Sequence, residues 1–147
     1  MITGASGGLA SSVASTLSDK GWQLALVTRD LNKLSQYPEA STCCLIEADV
    51  STEQGASDAI ARCLSETGQA PDALVNCAGS ILMTPLHRTT EKQYRQCMAA
   101  NLDSSFFALK AFIGSCLKTE KPGVAVLVSS VTARIGVSNH EAVAAAK

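Results

Sequence analysis

The chain has 147 residues, 46% of them hydrophobic and 17% charged, with a formal net charge of −1, an ordinary soluble globular composition for one domain. No Lys/Arg cluster points to nucleic acid, and no apolar run approaches membrane-spanning length. The opening MITG has neither the basic region nor the apolar stretch of a signal peptide, so a cytoplasmic location is the default expectation, with no membrane and no nucleic-acid partner.

Short apolar runs alternate with longer helical patterns, the signature of βαβ units and a parallel sheet. A stub of Met1 and Ile2 leads into the glycine-rich run TGASGGLA at 3–10, which opens a helix over Ser11 to Lys20 that stops before Gly21. Trp22 to Thr28 and Thr42 to Ala48 read as the second and third strands. Ser51 to Gln54 fits a capping box, opening a helix whose Ile60, Cys63, Leu64 and Thr67 share a face until Gly68 ends it. Ala73 to Asn76 reads as the fourth strand. Thr90 to Gln93 repeats the capping device and starts one long or broken helix, with a core stripe of Tyr94, Cys97, Met98, Leu102, Phe106, Leu109, Phe112, Ile113, Cys116 and Leu117. Val124 to Ser129 is the fifth strand, and Asn139 reads as the cap of a last helix carrying Val143 and Lys147.

No repeat, low-complexity tract or linker divides the chain. A central parallel strand runs about five or six residues, yet only Met1 and Ile2 precede the glycine turn, and the last helix stops within its first turns. Residues 1–147 are therefore expected to form a single domain that is part of a longer polypeptide, apparently truncated at both ends. The six cysteines fall mostly inside apolar runs with no C-x-x-C pair, which fits reduced thiols acting as small hydrophobes. With His87 and His140 as the only histidines, no metal site is expected.

The glycine turn has the context that gives such a pattern meaning, between a strand and a helix. Gly4 permits a tight turn, Gly8 lets backbone approach a pyrophosphate, and the helix N-terminus supplies partial positive charge. There is no Gly-Lys-Ser/Thr, which disfavours a P-loop NTPase. After the second strand an acidic residue would bond a ribose 2′-hydroxyl, whereas an arginine would accept a 2′-phosphate. Here Arg29 follows the strand directly and Asp30 reads as the N-cap of the next helix, so NADP(H) is favoured over NAD(H); the alternative is an exposed arginine that meets no ligand. Asn101 sits in the core stripe, where an unpaired amide would cost about 1–3 kcal/mol. It is either a core asparagine satisfied by backbone or a functional group.

The glycine turn, Arg29, Asp49 and Val50, the NCAG run at 76–79, Asn101, Ser130 and Lys147 resemble the short-chain dehydrogenase/reductase family in order and interval. The resemblance implies a doubly wound parallel α/β sheet of the Rossmann type holding a nicotinamide dinucleotide. It places Gly4, Ser6, Gly8 and Leu9 in the turn that binds the cofactor, Asp49 and Val50 at the adenine, Asn76, Ala78 and Gly79 at the end of the fourth strand, and Lys147 on the nicotinamide ribose. Asn101, Ser130 and Lys147 are the implied catalytic groups: Ser130 bonds the substrate carbonyl, and Asn101 kinks its helix and holds a water near the lysine. Ala10 stands where the family has a third glycine, and Cys77 where its Asn-Asn-Ala-Gly motif has a second asparagine.

The larger departure is Val143, thirteen residues after Ser130 and four before Lys147, where the family has tyrosine. A positioned acid or base contributes about 10²–10⁴ in rate, and valine has no proton to give. His140 shares a helix face with Val143, Ala144 and Lys147 and is the nearby surrogate; alternatively it is solvated in the first turn. The expected function is an NADP(H)-dependent oxidoreductase acting on a carbonyl or secondary alcohol, with weakened or altered proton transfer. Alternatives are a non-catalytic NADP(H)-binding pseudoenzyme or partner subunit, and a dimerisation module without nucleotide. The implied partners are a small-molecule substrate and further copies of the chain, as dimer or tetramer, paired through the long helix and the one beginning at Asn139.

Overall fold

A computed structural model describes residues 1–34 and 42–147. Five parallel strands form one sheet in the order β3-β2-β1-β4-β5, with β1 at Ile2–Thr3, β2 at Ala25–Thr28, β3 at Cys44–Glu47, β4 at Ala73–Asn76 and β5 at Val124–Leu127. Thr3 is in register with Val27 on one side and Asn76 on the other, so β1 is the centre of the sheet. The expected parallel, doubly wound architecture is observed. The helices are α1 (Gly8–Asp19), α2 (Glu53–Thr67), α3 (Glu91–Met98), α4 (Ser104–Thr119), α5 (Thr132–Ile135) and α6 (Glu141–Ala146).

Alternation along β2 divides the core. Ala25 and Val27 pack with Ile46, Leu74, Ala59, Ile60, Ala108 and Phe112 under α2 and α4. Leu24 and Leu26 pack with Ile2, Ala5, Ala10 and Ala14 under α1. A period of two in the strand thus feeds two apolar layers, which is why central parallel strands read as continuous hydrophobic runs. Trp22, expected to begin this strand, is half exposed and lies ahead of it. The chain first closes α1 there: Gly21 takes φ +79°, and the Trp22 amide donates to Leu17 O at 3.1 Å. β5, at the sheet edge, is exposed along its whole length, with Val124 at 66%.

The long helix differs from expectation in its inward face. Thr90 and Gln93 form the expected capping box, but α3 and α4 are joined by a π-helical turn at Ala99–Asp103. Cys97, Asn101, Ser104, Ala108, Phe112 and Ser115 face inward, while Leu102, Phe106, Ile113 and Leu117 lie outside. The wide turn adds a residue and changes the phase of the stripe. Its carbonyls are taken by hydroxyls: Ser104 Oγ donates to Ala100 O at 2.7 Å, and Ser105 Oγ to Asn101 O at 2.9 Å. Small residues on the sheet side let the helix lie close, leaving the large apolar ones outward. On α2 the cap is Thr52, one residue later than expected, its hydroxyl accepting from Gly55 N at 3.0 Å.

All six cysteines are reduced; Cys63 and Cys97 are buried and the others half-buried. Cys44 donates to Glu66 Oε2 at 3.2 Å, and burial reinforced by that carboxylate pushes its pKa up to about 12. Because thiolate is the nucleophile, Cys44 will react with iodoacetamide at pH 8 about tenfold or more slowly than an unperturbed thiol. Mass-spectrometric mapping of labelling rates checks this, and Cys44 labelling as fast as a cysteine in an unfolded peptide contradicts it.

Candidate functional site

In a 3-2-1-4-5 sheet the connections reverse direction between β1 and β4, and a crevice opens at the carboxyl ends of the strands there. A cleft occupies that place. It is lined by Gly4 and Ser6 after β1, Thr28 and Arg29 at the end of β2, Asp49, Val50 and Ser51 after β3, and Cys77, Ala78 and Gly79 after β4. Ala100 and Ser104, from the π turn and α4, complete the wall.

Gly4 is required by conformation and by space. Its φ is +63°, and a Cβ there would stand 2.7 Å from Cα and N of Ala78. The turns after β1 and β4 therefore touch backbone to backbone. The next residues lead into α1, whose N-cap position is Gly7, with no side-chain cap and no acidic residue in the first turn. Gly8 and Leu9 are exposed, and an added Cβ at Gly8 would meet nothing within 4 Å. An uncapped helix start beside an open cleft suits an anion. Ala10 is 1% exposed in the core under α1, so the methyl in place of the family's third glycine is accommodated.

Below the cleft runs a chain of buried polar groups. Thr3 Oγ1 donates to Asn76 Oδ1, Asn76 Nδ2 to Ser105 Oγ at 2.9 Å, and Ser105 Oγ to Asn101 O. Asn76 is fully buried and braces β1, β4 and α4. Asn101 is 1% exposed and bonded to backbone: Nδ2 donates to Cys97 O at 2.9 Å and Ser80 O at 3.1 Å, and Oδ1 accepts from Ser80 N at 3.1 Å. Satisfaction by backbone is thus its observed state. A Cβ at Gly79 would stand 2.9 Å from Asn101 Oδ1 and 3.3 Å from Lys147 Nζ, so these two groups meet at a position free of side chain.

Lys147 Nζ donates to Val128 O at 2.9 Å. Burial lowers its pKa, with the Cys77 and Cys97 thiols acting the other way. Ser129 Oγ donates to Lys147 O at 3.3 Å, fastening the end of α6 to the segment after β5. Ser130 stands three residues past β5 rather than at its end, its Oγ 2.9 Å from Thr132 Oγ1 and accepting from Thr132 N at 3.3 Å. The structure thus gathers Gly4, Ser6, Arg29, Asp49, Val50, Ala78 and Gly79 on one cleft, and Asn101 with Lys147 beside Gly79. Ser130 bonds to Thr132 and is not part of the cleft lining; its link to Lys147 is by sequence, two residues after the Val128 carbonyl that holds Nζ. Val143 is 5% exposed, one helical turn from Lys147. His140, not Asn139, occupies the cap position of α6, and its Nδ1 lies 3.0 Å from Ser138 O; Asn139 takes φ +65°.

Asp49 accepts from Ser51 N and Ser51 Oγ at 3.0 and 2.7 Å, which fixes its carboxylate at the cleft. Sequence reasoning read Ser51 only as a helix cap, and overlooked Ser105 and Ser80, whose partners Asn76 and Asn101 are distant in the chain, and Lys33, which also lines the cleft.

The profile of the short chain dehydrogenase family matches residues 1–147. The chain belongs to this family. Its members are oxidoreductases that act on alcohol or carbonyl groups with nicotinamide cofactors. The chain is 28% identical to D-threitol dehydrogenase of Mycolicibacterium smegmatis, across 100% of its own length and 58% of that protein. It is 29% identical to L-xylulose reductase of Bos taurus, over 95% of the chain and 56% of the reductase. A short-chain dehydrogenase structure from Streptomyces avermitilis superposes with a TM-score of 0.86 at 22% identity, covering 99% of this chain and 54% of that one, and has the same fold. The chain spans about half the length of the curated relatives it matches. Among the described residues no helix is long and apolar enough to cross a membrane.

Proposed function

We propose that residues 1–147 are a single dinucleotide-binding domain of an NADP(H)-dependent oxidoreductase acting on a carbonyl or secondary alcohol, with proton transfer weakened at Val143. The observation that carries this reading is the cleft at the strand-order reversal, floored by Gly4 against Ala78 and edged by Arg29. The residues present fit a dinucleotide. Gly4, Ser6, Gly8 and Leu9 would face the pyrophosphate, Arg29 the 2′-phosphate, Asp49 and Val50 the adenine, and Ala78, Gly79 and Lys147 the nicotinamide side. Asn76 holds the floor of that site. When bound, the reduced cofactor supplies a hydride.

Ser130 would hydrogen-bond the substrate oxygen, and Lys147, held by Val128 O, would sit beside Asn101 on the ribose. Val143 supplies no proton to the alkoxide left on the substrate. A retained, slow activity is expected; a nucleotide-binding pseudoenzyme is the second reading, favoured by the burial of that aliphatic side chain. The names of the relatives differ in substrate, so the proposal stops at the functional group. The outward Leu102, Phe106, Ile113 and Leu117 of the long helix support pairing of copies.

Fluorescence titration of the protein with NADPH and NADH tests the cofactor reading. A charge-assisted bond to a phosphate contributes about 1.5–3 kcal/mol, so NADPH should bind about tenfold or more tightly. Equal affinities, or tighter NADH, overturn it.

A further inference from the structure

α2 and α4 lie side by side, and a groove of ≈ 370 Å³ runs between them. Ile60, Ala61 and Leu64 form one wall, and Phe107, Ala111 and Gly114 the other. Each set recurs at three- and four-residue spacing, so each is one face of its helix. Leu64 is 46% exposed, and an added Cβ at Gly114 would meet nothing within 4 Å, so the space between the walls is open. The groove shares no described residue with the dinucleotide cleft. Its size falls in the range of about 300–1,000 Å³ found for small-molecule pockets, and apolar walls with few polar groups are the usual lining of such pockets.

The two ends of the groove differ in charge. At one end Lys110 Nζ donates to Glu53 Oε1 at 2.6 Å, a neutral bar from α4 to α2. About two helical turns further along α4, roughly 12 Å away, Lys118 stands at the other end. It is exposed, and among the described residues no carboxylate pairs with it. We infer that this groove binds an elongated apolar molecule ending in one carboxylate, a free straight-chain fatty acid. Its chain lies along Ala61, Leu64, Ala111 and Gly114, and its carboxylate meets Lys118. A second negative charge would fall beside Glu53, whereas an uncharged chain would gain nothing from Lys118. The site stands whether or not a dinucleotide binds in the cleft.

The experiment is titration of wild type, Gly114→Leu and Lys118→Gln with decanoate and with decanol, followed by two-dimensional amide NMR spectra. In wild type, decanoate should shift the amides of Ala61, Leu64, Ala111 and Gly114 saturably. Gly114→Leu fills the groove and should weaken decanoate about tenfold or more. Lys118→Gln, at an exposed position, should weaken decanoate about threefold and leave decanol unchanged, and it carries the test if Gly114→Leu does not fold. The inference is overturned if decanoate gives no saturable shift, if the shifts lie outside α2 and α4, or if either folded variant binds decanoate as tightly as wild type. It is equally overturned if the groove amides move on dilution of the protein and ignore decanoate, which would assign the groove to a second copy of the chain.

Discussion

Replacing Gly55 by alanine should cost the domain more than about 3 kcal/mol, although alanine is the better helix former. Gly55 lies in the first turn of α2, where a Cβ would stand 2.1 Å from Asp49 O and 3.0 Å from Thr52 Oγ1. No side chain can rotate to relieve a clash with a backbone carbonyl, so either the helix start or the segment after β3 must move. That segment carries Asp49, Val50 and Ser51, three residues of the cleft wall, and dinucleotide affinity should therefore fall with stability. Gly114 is the control. It sits inside α4, where an added Cβ meets nothing within 4 Å, and Gly114→Ala should stabilise by up to about 1 kcal/mol. Denaturant unfolding of both variants measures the pair, with a melting shift of about 2–4 °C expected per kcal/mol in a domain of this size. Gly55→Ala with wild-type stability would show that α2 does not approach β3 this closely.

Gly55 shows where sequence reading stops. A glycine eight residues after the end of β3, inside a helical pattern, looks like a tolerated defect, because the carbonyl that requires it belongs to another segment. The glycine turn and the NCAG run were legible because strand ends in an open parallel sheet carry ligand residues by topology, and short apolar runs mark those ends. β5 was legible as a strand but not as an exposed edge, since an apolar run has the same appearance in either place. The inner face of the long helix was misread because a constant helical period cannot anticipate a π turn, and because Ala108, Ser104 and Ser115 face the sheet where larger residues were expected. Asn101 stood out as a polar residue in an apolar stripe. Its partners on Ser80 were hidden in a loop about twenty residues earlier. Lys33 went unnoticed for a related reason: i,i+3 pairing with Asp30 reads as solvated surface until the turn is seen to face the cleft.

Restoring the phenol is expected to have the largest effect on chemistry. If Ser130, Asn101 and Lys147 act as proposed, Val143→Tyr should raise the rate of NADPH-dependent carbonyl reduction by about 10²–10⁴, the contribution of a positioned general acid. NADPH affinity should change little. Position 143 is buried, so a larger side chain strains its surroundings at a cost of about 1–3 kcal/mol. Val143→Phe carries nearly the same bulk without a hydroxyl and isolates that cost. Tyrosine should accelerate turnover and phenylalanine should not, while both lower stability by similar amounts. Position 143 lies one helical turn from Lys147, whose Nζ is tied to Val128 O just ahead of Ser130. A phenol there would be close to a partly buried ammonium that favours its ionised form. The gain should consequently grow as pH rises toward the range where that phenol ionises in the oxidation direction. If the tyrosine and phenylalanine variants bind NADPH and are equally inactive on ketones, aldehydes and quinones, the site lacks more than one proton donor. The non-catalytic reading then replaces the enzymatic one.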